Sequence, residues 1–183
     1  PVDMLEINVS CPNVKHGGIA FGQDPKCLFD ITREIKAKAK QPIIMKLSPN
    51  VTDIAEMARA AEAAGSDALS LINTITGMKI DIHKRTFALA NRTGGLSGPA
   101  IKPVAVRMVY QAANAVKIPI IGMGGIADAE DAIEFMLAGA TGIAVGAMNF
   151  VNPYTTVEVV RGIEAYMQQY GIENLSEIIG TVR

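Results

Sequence analysis

Ile118-Pro119-Ile120-Ile121-Gly122-Met123-Gly124-Gly125-Ile126 is a short aliphatic run that breaks into glycines, and an amphipathic stretch beginning at Asp128 follows it. A run of four to six residues that is apolar almost throughout suits a parallel strand covered on both faces, not a half-exposed strand that alternates. Four more runs of this kind occur: Met4–Val9, Pro42–Leu47, Ala68–Ile72 and Gly142–Val145. A helical pattern follows each. Asp24 can cap one helix, with Pro25 at its first position and Leu28, Ile31 and Ile35 on one face. Asn50 can cap the next, with Ile54, Met57, Ala58 and Ala61 inward and Gly65 as the stop. Further helices are predicted from about Lys102 to Ala115, from Asp128 to Gly139, and from about Pro153 to Tyr170. Strand, helix and short return loop in repetition mean a parallel α/β architecture. Pattern alone does not separate a barrel from a doubly wound sheet. A complete eight-fold barrel takes about 250 residues, so five units correspond to the later part of one. No linker interrupts the chain, and residues 1–183 are expected to be a single domain.

Composition excludes several functions. Among 183 residues, 17 basic and 18 acidic side chains leave a net charge of -1, with no positive excess for a nucleic-acid backbone. Apolar residues make up 49%, enough for a real core, yet the longest apolar runs are far too short to span a bilayer. No basic region followed by an apolar stretch opens the chain, and two cysteines cannot staple a secreted domain. A cytoplasmic protein that binds neither membrane nor nucleic acid is expected. His16 and His83 lie far apart without ligand spacing, so no metal site is expected.

The chemistry concentrates where the strands end. Glycines at the carboxyl end of a strand let backbone N–H groups approach an anion. In barrels the loops after the last two strands are the usual phosphate cradle. Gly122–Ile126 and Val145-Gly146-Ala147 occupy those two places; singly, each also reads as a tight turn. Gly94-Gly95-Leu96-Ser97-Gly98 reads as a flexible loop able to close over the same ligand. Asn8, Ser10, Cys11, Pro12 and Asn13 cluster at the end of the first strand. Asparagine amides there can read ring N–H and carbonyl groups. A thiol with an ordinary pKa of about 8.5 needs only modest stabilisation of its anion to act as a base near neutral pH. Cys27, within an amphipathic helix, reads as a buried structural cysteine. Lys46 closes an apolar strand and needs an anionic partner; a cofactor ring or a structural ion pair would both serve. Asn73 and Thr74 repeat the polar theme at the third strand's end. Asp128, Glu130, Asp131 and Glu134 read as a helix start and a solvated face.

Taken together, Glu6-Ile7-Asn8-Val9-Ser10-Cys11-Pro12-Asn13-Val14, Met45-Lys46-Leu47-Ser48-Pro49-Asn50, Ile72-Asn73-Thr74, Gly94-Gly95-Leu96-Ser97-Gly98-Pro99-Ala100-Ile101-Lys102-Pro103 and Ile121-Gly122-Met123-Gly124-Gly125-Ile126 resemble the dihydroorotate dehydrogenase family. The run His16-Gly17-Gly18-Ile19-Ala20-Phe21-Gly22 is most similar to its bacterial NAD-linked class. The resemblance implies a (βα)8 TIM barrel holding one FMN, of which this chain covers roughly the last five strand–helix units. It implies oxidation of dihydroorotate to orotate in pyrimidine biosynthesis, with C5 losing a proton to Cys11 and C6 a hydride to the flavin. Asn8 matches a residue touching flavin and substrate, and Asn13, Asn73 and Thr74 match substrate-binding positions. Lys46, Ile72 and Gly98 match flavin contacts, with Gly124, Gly125, Gly146 and Ala147 around the phosphate. A homodimer of catalytic subunits joined by an electron-transfer subunit carrying FAD and a [2Fe-2S] cluster, a heterotetramer delivering electrons to NAD, is the implied assembly. The family's first strands would precede Pro1, so the 183-residue chain by itself is expected to bind FMN poorly. Another FMN barrel acting on a pyrimidine, or a catalytically inactive fragment, are the alternatives.

Overall fold

The computed structural model describes residues 2–10 and 22–182. The five apolar runs form the strands of one parallel sheet: β1 (Leu5–Asn8), β2 (Ile43–Lys46), β3 (Ala68–Leu71), β8 (Ile120–Met123) and β9 (Gly142–Ala144). Between β3 and β8 the chain makes two antiparallel pairs, β4 (Ile75–Met78) with β7 (Thr93–Leu96) and β5 (Ile80–Asp81) with β6 (Thr86–Phe87). The helices are α1 (Pro25–Lys38), α2 (Ile54–Ala63), α3 (Lys102–Ala113), α4 (Ala129–Leu137) and α5 (Thr155–Tyr170).

Sheet order settles what pattern left open. The strands run β1-β2-β3-β8-β9 without reversal, so each right-handed crossover adds its helix to the same face. A doubly wound sheet reverses direction at a switch point and covers both faces. This winding is that of a (βα)8 barrel, and the described residues form five of its strand–helix units.

The two faces of the strands differ accordingly. Ile43, Met45, Leu69, Leu71 and Ile120 point into the helical layer and are essentially inaccessible, packed with Leu28, Met57, Ala61, Val109 and Phe135. Glycine at 122 permits the closest of these contacts, since a Cβ there would lie 2.7 Å from the Phe135 ring. Alternate positions, Glu6, Asn8, Lys46 and Ser70, share the opposite face by the two-residue period of a strand.

Asp24 caps α1 through the Cys27 N–H, as its position predicts. The cap of α2 is Asp53, not Asn50; its carboxylate takes the N–H groups of Ala55 and Glu56. Asn50 is spent elsewhere, donating to the Thr74 carbonyl and accepting from the Thr76 N–H, so it ties the loop after β2 to the loop after β3. The glycine-rich segment 94–98 is not simply a flexible loop, because Thr93–Leu96 pairs in register with Ile75–Met78. Cys27 is exposed rather than buried, because it lies in the first turn beside its cap. The neighbouring Asp24 carboxylate, which accepts from Cys27, pushes its thiol upward, away from a reactive thiolate.

Candidate functional site

Three polar residues meet where β1 and β3 end. Asn8 Oδ1 accepts from the Ser10 N–H (3.2 Å), the Ser10 hydroxyl (3.3 Å) and Asn73 Nδ2 (3.1 Å). Asn73 Nδ2 also donates to Ser10 Oγ at 2.7 Å, while its Oδ1 accepts the Thr74 N–H at 2.8 Å. The result fixes the sense of the Asn8 amide. With its oxygen occupied, Asn8 presents its NH2 group, which donates to no other group among the described residues. Ser10, 6% exposed, stands at the centre and sets both amides.

On the next strand Lys46 faces Glu6, Nζ to Oε1, at 3.1 Å. Glu6 lies two residues before Asn8, and parallel pairing sets Asn8 against Lys46. Both readings of Lys46 therefore meet in one place: it has its structural ion pair, and both partners line the cavity described next.

A cavity of about 510 Å³ opens at the carboxyl ends of the strands. Glu6, Lys46, Ile72, Asn73, Thr74, Gly98, Gly124, Gly125, Gly146 and Ala147 line it. The glycines are there for stereochemical reasons. Gly124 and Gly125 have φ of 128° and 82°, a region other residues seldom adopt. A Cβ on Gly125 would come within 2.7 Å of the Gly98 carbonyl oxygen and 2.9 Å of the Lys102 nitrogen. Gly146 is different, for a Cβ there would meet no protein atom within 4 Å.

Among the described residues, the backbone N–H groups of Gly124, Gly125, Gly146 and Ala147 donate to no acceptor of the fold. Amides left without partners at a concave surface suit an anion with several oxygens. A phosphate group fits that donor set.

Behind the turns, Lys102 at the start of α3 reaches Asp131 and Glu134 of α4, the latter at 2.7 Å. Hydrogen bonds that Lys102 donates to the Asp131 and Glu134 carboxylates push its ammonium well above the ordinary lysine range. Burial alone would raise the Asp131 carboxyl, but hydrogen bonds from Lys102 and from the Ala127 N–H outweigh it and hold it below the usual carboxylate range. The acidic run at 128–134 is thus a partly buried bridge as well as a helix start. Asp128 remains the cap, accepting from the Asp131 N–H.

Asn8, Lys46, Ile72, Asn73, Thr74, Gly98, Gly124, Gly125, Gly146 and Ala147 thus gather at one end of the sheet. Cys11 and Asn13 lie outside the described residues. Sequence reasoning placed Ser10 in the polar cluster without a role and left Glu6 out of the site; the two-residue period from Asn8 would have found Glu6. Ile101 and Met123 also line the cavity, disguised as core by their apolar character. Among the described residues, no group of three or more His, Cys, Asp or Glu is placed to hold a metal ion, and no helix is long and apolar enough to cross a membrane.

Fold and site together define a (βα)-barrel protein with an anion-ready cavity at the carboxyl end of its strands. Comparison with known proteins narrows the class. A family model described as dihydroorotate dehydrogenase matches residues 1–167. The chain is 69% identical over 182 residues to the dihydroorotate dehydrogenase B (NAD(+)), catalytic subunit, of Lachnoclostridium phytofermentans, covering 100% of this chain and 61% of that protein. The protein of the same name from Alkaliphilus oremlandii is 65% identical over 179 residues, covering 98% and 59%. Among solved structures, the Eimeria tenella DHODH in complex with ferulenol superimposes with a TM-score of 0.82 at 25% identity, over 98% of this chain and 54% of that one. The chain belongs to the dihydroorotate dehydrogenase family. It spans about three fifths of the length of the curated relatives it matches.

Proposed function

We propose that the protein carrying this sequence oxidises dihydroorotate to orotate with FMN bound in the carboxyl-end cavity. The observation that carries the reading is the pair of glycine turns whose four amide donors have no acceptor among the described residues, at the same end of the sheet as the Asn8–Ser10–Asn73 network. Residues 1–183 then act as one domain, the carboxyl-terminal part of a flavin-binding barrel. The N–H groups of Gly124, Gly125, Gly146 and Ala147 hold the phosphate, while Asn8, Lys46, Ile72 and Gly98 border the ring system. Bound there, FMN supplies the two-electron acceptor for the hydride on C6. Asn8, Asn13, Asn73 and Thr74 orient the pyrimidine, with the Asn8 NH2 directed to an acceptor on the ligand. Cys11, as the thiolate, takes the C5 proton as the C5–C6 double bond forms. Lys46 offers a cation beside the ring, its position fixed by Glu6.

The phrase "catalytic subunit" in the relatives' names supports a partner subunit. We read that partner as an electron-transfer subunit with FAD and a [2Fe-2S] cluster, passing electrons to NAD in a cytoplasmic heterotetramer built on a catalytic homodimer.

Anaerobic mixing tests the function. Dihydroorotate should bleach the oxidised-flavin absorbance of the full-length protein, and dihydrouracil, which lacks the carboxylate, should not. Equal bleaching by dihydrouracil, or a flavin that dihydroorotate leaves oxidised, would overturn it.

A further inference from the structure

We infer that Lys102 and Asp131 are positioning residues that hold the glycine turn at 124–128 against the segment 98–102, and so fix the Gly124 and Gly125 amides where the ligand's phosphate requires them. The inference rests on the flavin reading of the cavity and adds residues that do not line it.

Asp131 is two-handed. One carboxylate oxygen takes the Lys102 ammonium, and the other accepts the N–H of Ala127 at 2.8 Å. The first bond reaches the start of α3, directly after the turn containing Gly98. The second holds the backbone just after Gly124 and Gly125. Between these anchors the two turns touch at the backbone, because the Gly125 Cα faces the Gly98 carbonyl and the Lys102 N–H. Gly124 abuts α3 as well, since a Cβ there would lie 2.9 Å from the Ala105 methyl. The pair is sheltered, with side chains 27% and 13% exposed, so salt screens it less than a surface pair.

Attraction is not what this cluster contributes. Lys102 is matched by two carboxylates, Asp131 and Glu134, leaving one formal negative charge beside the place proposed for a phosphate. Removing a carboxylate would favour an anion if field alone mattered, whereas loss of the bridge would disfavour it if placement matters. The two accounts differ in sign.

The test compares FMN with riboflavin, which lacks the phosphate, by titrating flavin-stripped full-length protein and following quenching of flavin fluorescence. Asp131→Asn should weaken FMN about tenfold, the scale of one charge-assisted hydrogen bond, and leave riboflavin within about twofold. Asp131→Glu keeps the charge and displaces the carboxylate by one methylene; it should weaken FMN selectively by a smaller factor, and it serves if the asparagine variant does not fold. Glu134→Gln, which touches Lys102 but no loop backbone, should change neither. If the parent binds FMN and riboflavin equally well, the phosphate reading itself fails. If the parent prefers FMN and Asp131→Asn keeps or strengthens that preference, the positioning role is wrong while the flavin reading stands. Equal weakening of both flavins would reduce the pair to a general structural contact and overturn the inference.

Discussion

The two ends of the parallel sheet are built from the same residue types and use them in opposite ways. At the amino end polar side chains close the return loops. Asp67 binds Lys36 and the Ile43 N–H, Glu62 accepts the N–H groups of Lys117 and Ile118, and Thr141 exchanges hydrogen bonds with both backbone groups of Ile120. At the carboxyl end the Asn8 NH2 and four backbone amides have no partner among the described residues, and two successive glycines carry positive φ. Satisfied polar groups stabilise a fold; unsatisfied ones facing a cavity are held ready for something else. The difference separates scaffold from site without reference to any relative.

Substitutions can break that comparison or sharpen it. The largest effect belongs to the carboxyl end. Cys11→Ala in the full-length protein should slow flavin reduction by dihydroorotate by about 100-fold or more, the scale of a lost general base, with flavin content retained. Stopped-flow reduction under anaerobic conditions measures it, and an unchanged rate removes Cys11 from the mechanism. Gly146→Leu comes next. Because Gly146 lines the cavity and a Cβ there meets no protein atom within 4 Å, flavin affinity should fall by about tenfold or more, a loss of about 1.4 kcal/mol, while the thermal midpoint hardly moves.

At the amino end the pattern should invert. Asp67→Asn should cost about 1 kcal/mol of stability, since the pair with Lys36 is more than one-third exposed and screened, with flavin affinity untouched. Denaturant melts and flavin titrations on the same samples separate the two effects. Acid sharpens this. Hydrogen bonds from Lys36 and the Ile43 N–H hold the Asp67 carboxyl below its ordinary value of 3.8. A depressed folded-state pKa contributes stability that is complete above the unfolded value and lost as pH falls through the folded one. Stability should therefore be flat near neutrality and fall below about pH 4, less steeply in Asp67→Asn. The smallest effect is Glu62→Gln, which keeps an oxygen for the Lys117 N–H and should cost no more than about 0.5 kcal/mol.

Much of this division was legible from sequence, for definable reasons. The parallel strands announced themselves because their runs are apolar almost throughout, although Glu6 and Asn8 leave alternate positions of β1 exposed. The glycine turns were equally visible, being both strand ends and breaks in pattern. What escaped depends on distant partners. Asn50 looked like a cap because nothing local shows that Thr74 and Thr76 occupy it. Lys46 declared a need for an anion, but Glu6 is brought to it only by the β1–β2 register. The acidic run at 128–134 looked solvated because the lysine that Asp131 and Glu134 share begins another helix. The pairing of Ile75–Met78 with Thr93–Leu96 escaped because Gly94 and Gly95 lower strand propensity, while a Cβ on Gly95 would lie 2.7 Å from the Thr74 Cβ, a close approach that only the fold reveals.

Amide hydrogen exchange on the full-length protein, stripped of flavin and then reloaded with FMN, tests the division most directly. Amides without an acceptor exchange quickly until a ligand provides one. Flavin should slow exchange at Gly124, Gly125, Gly146 and Ala147 and leave the amino-end loops around Asp67, Ile118 and Thr141 unchanged. Protection confined to the amino-end loops, or none at the four glycine-turn amides, would contradict the account.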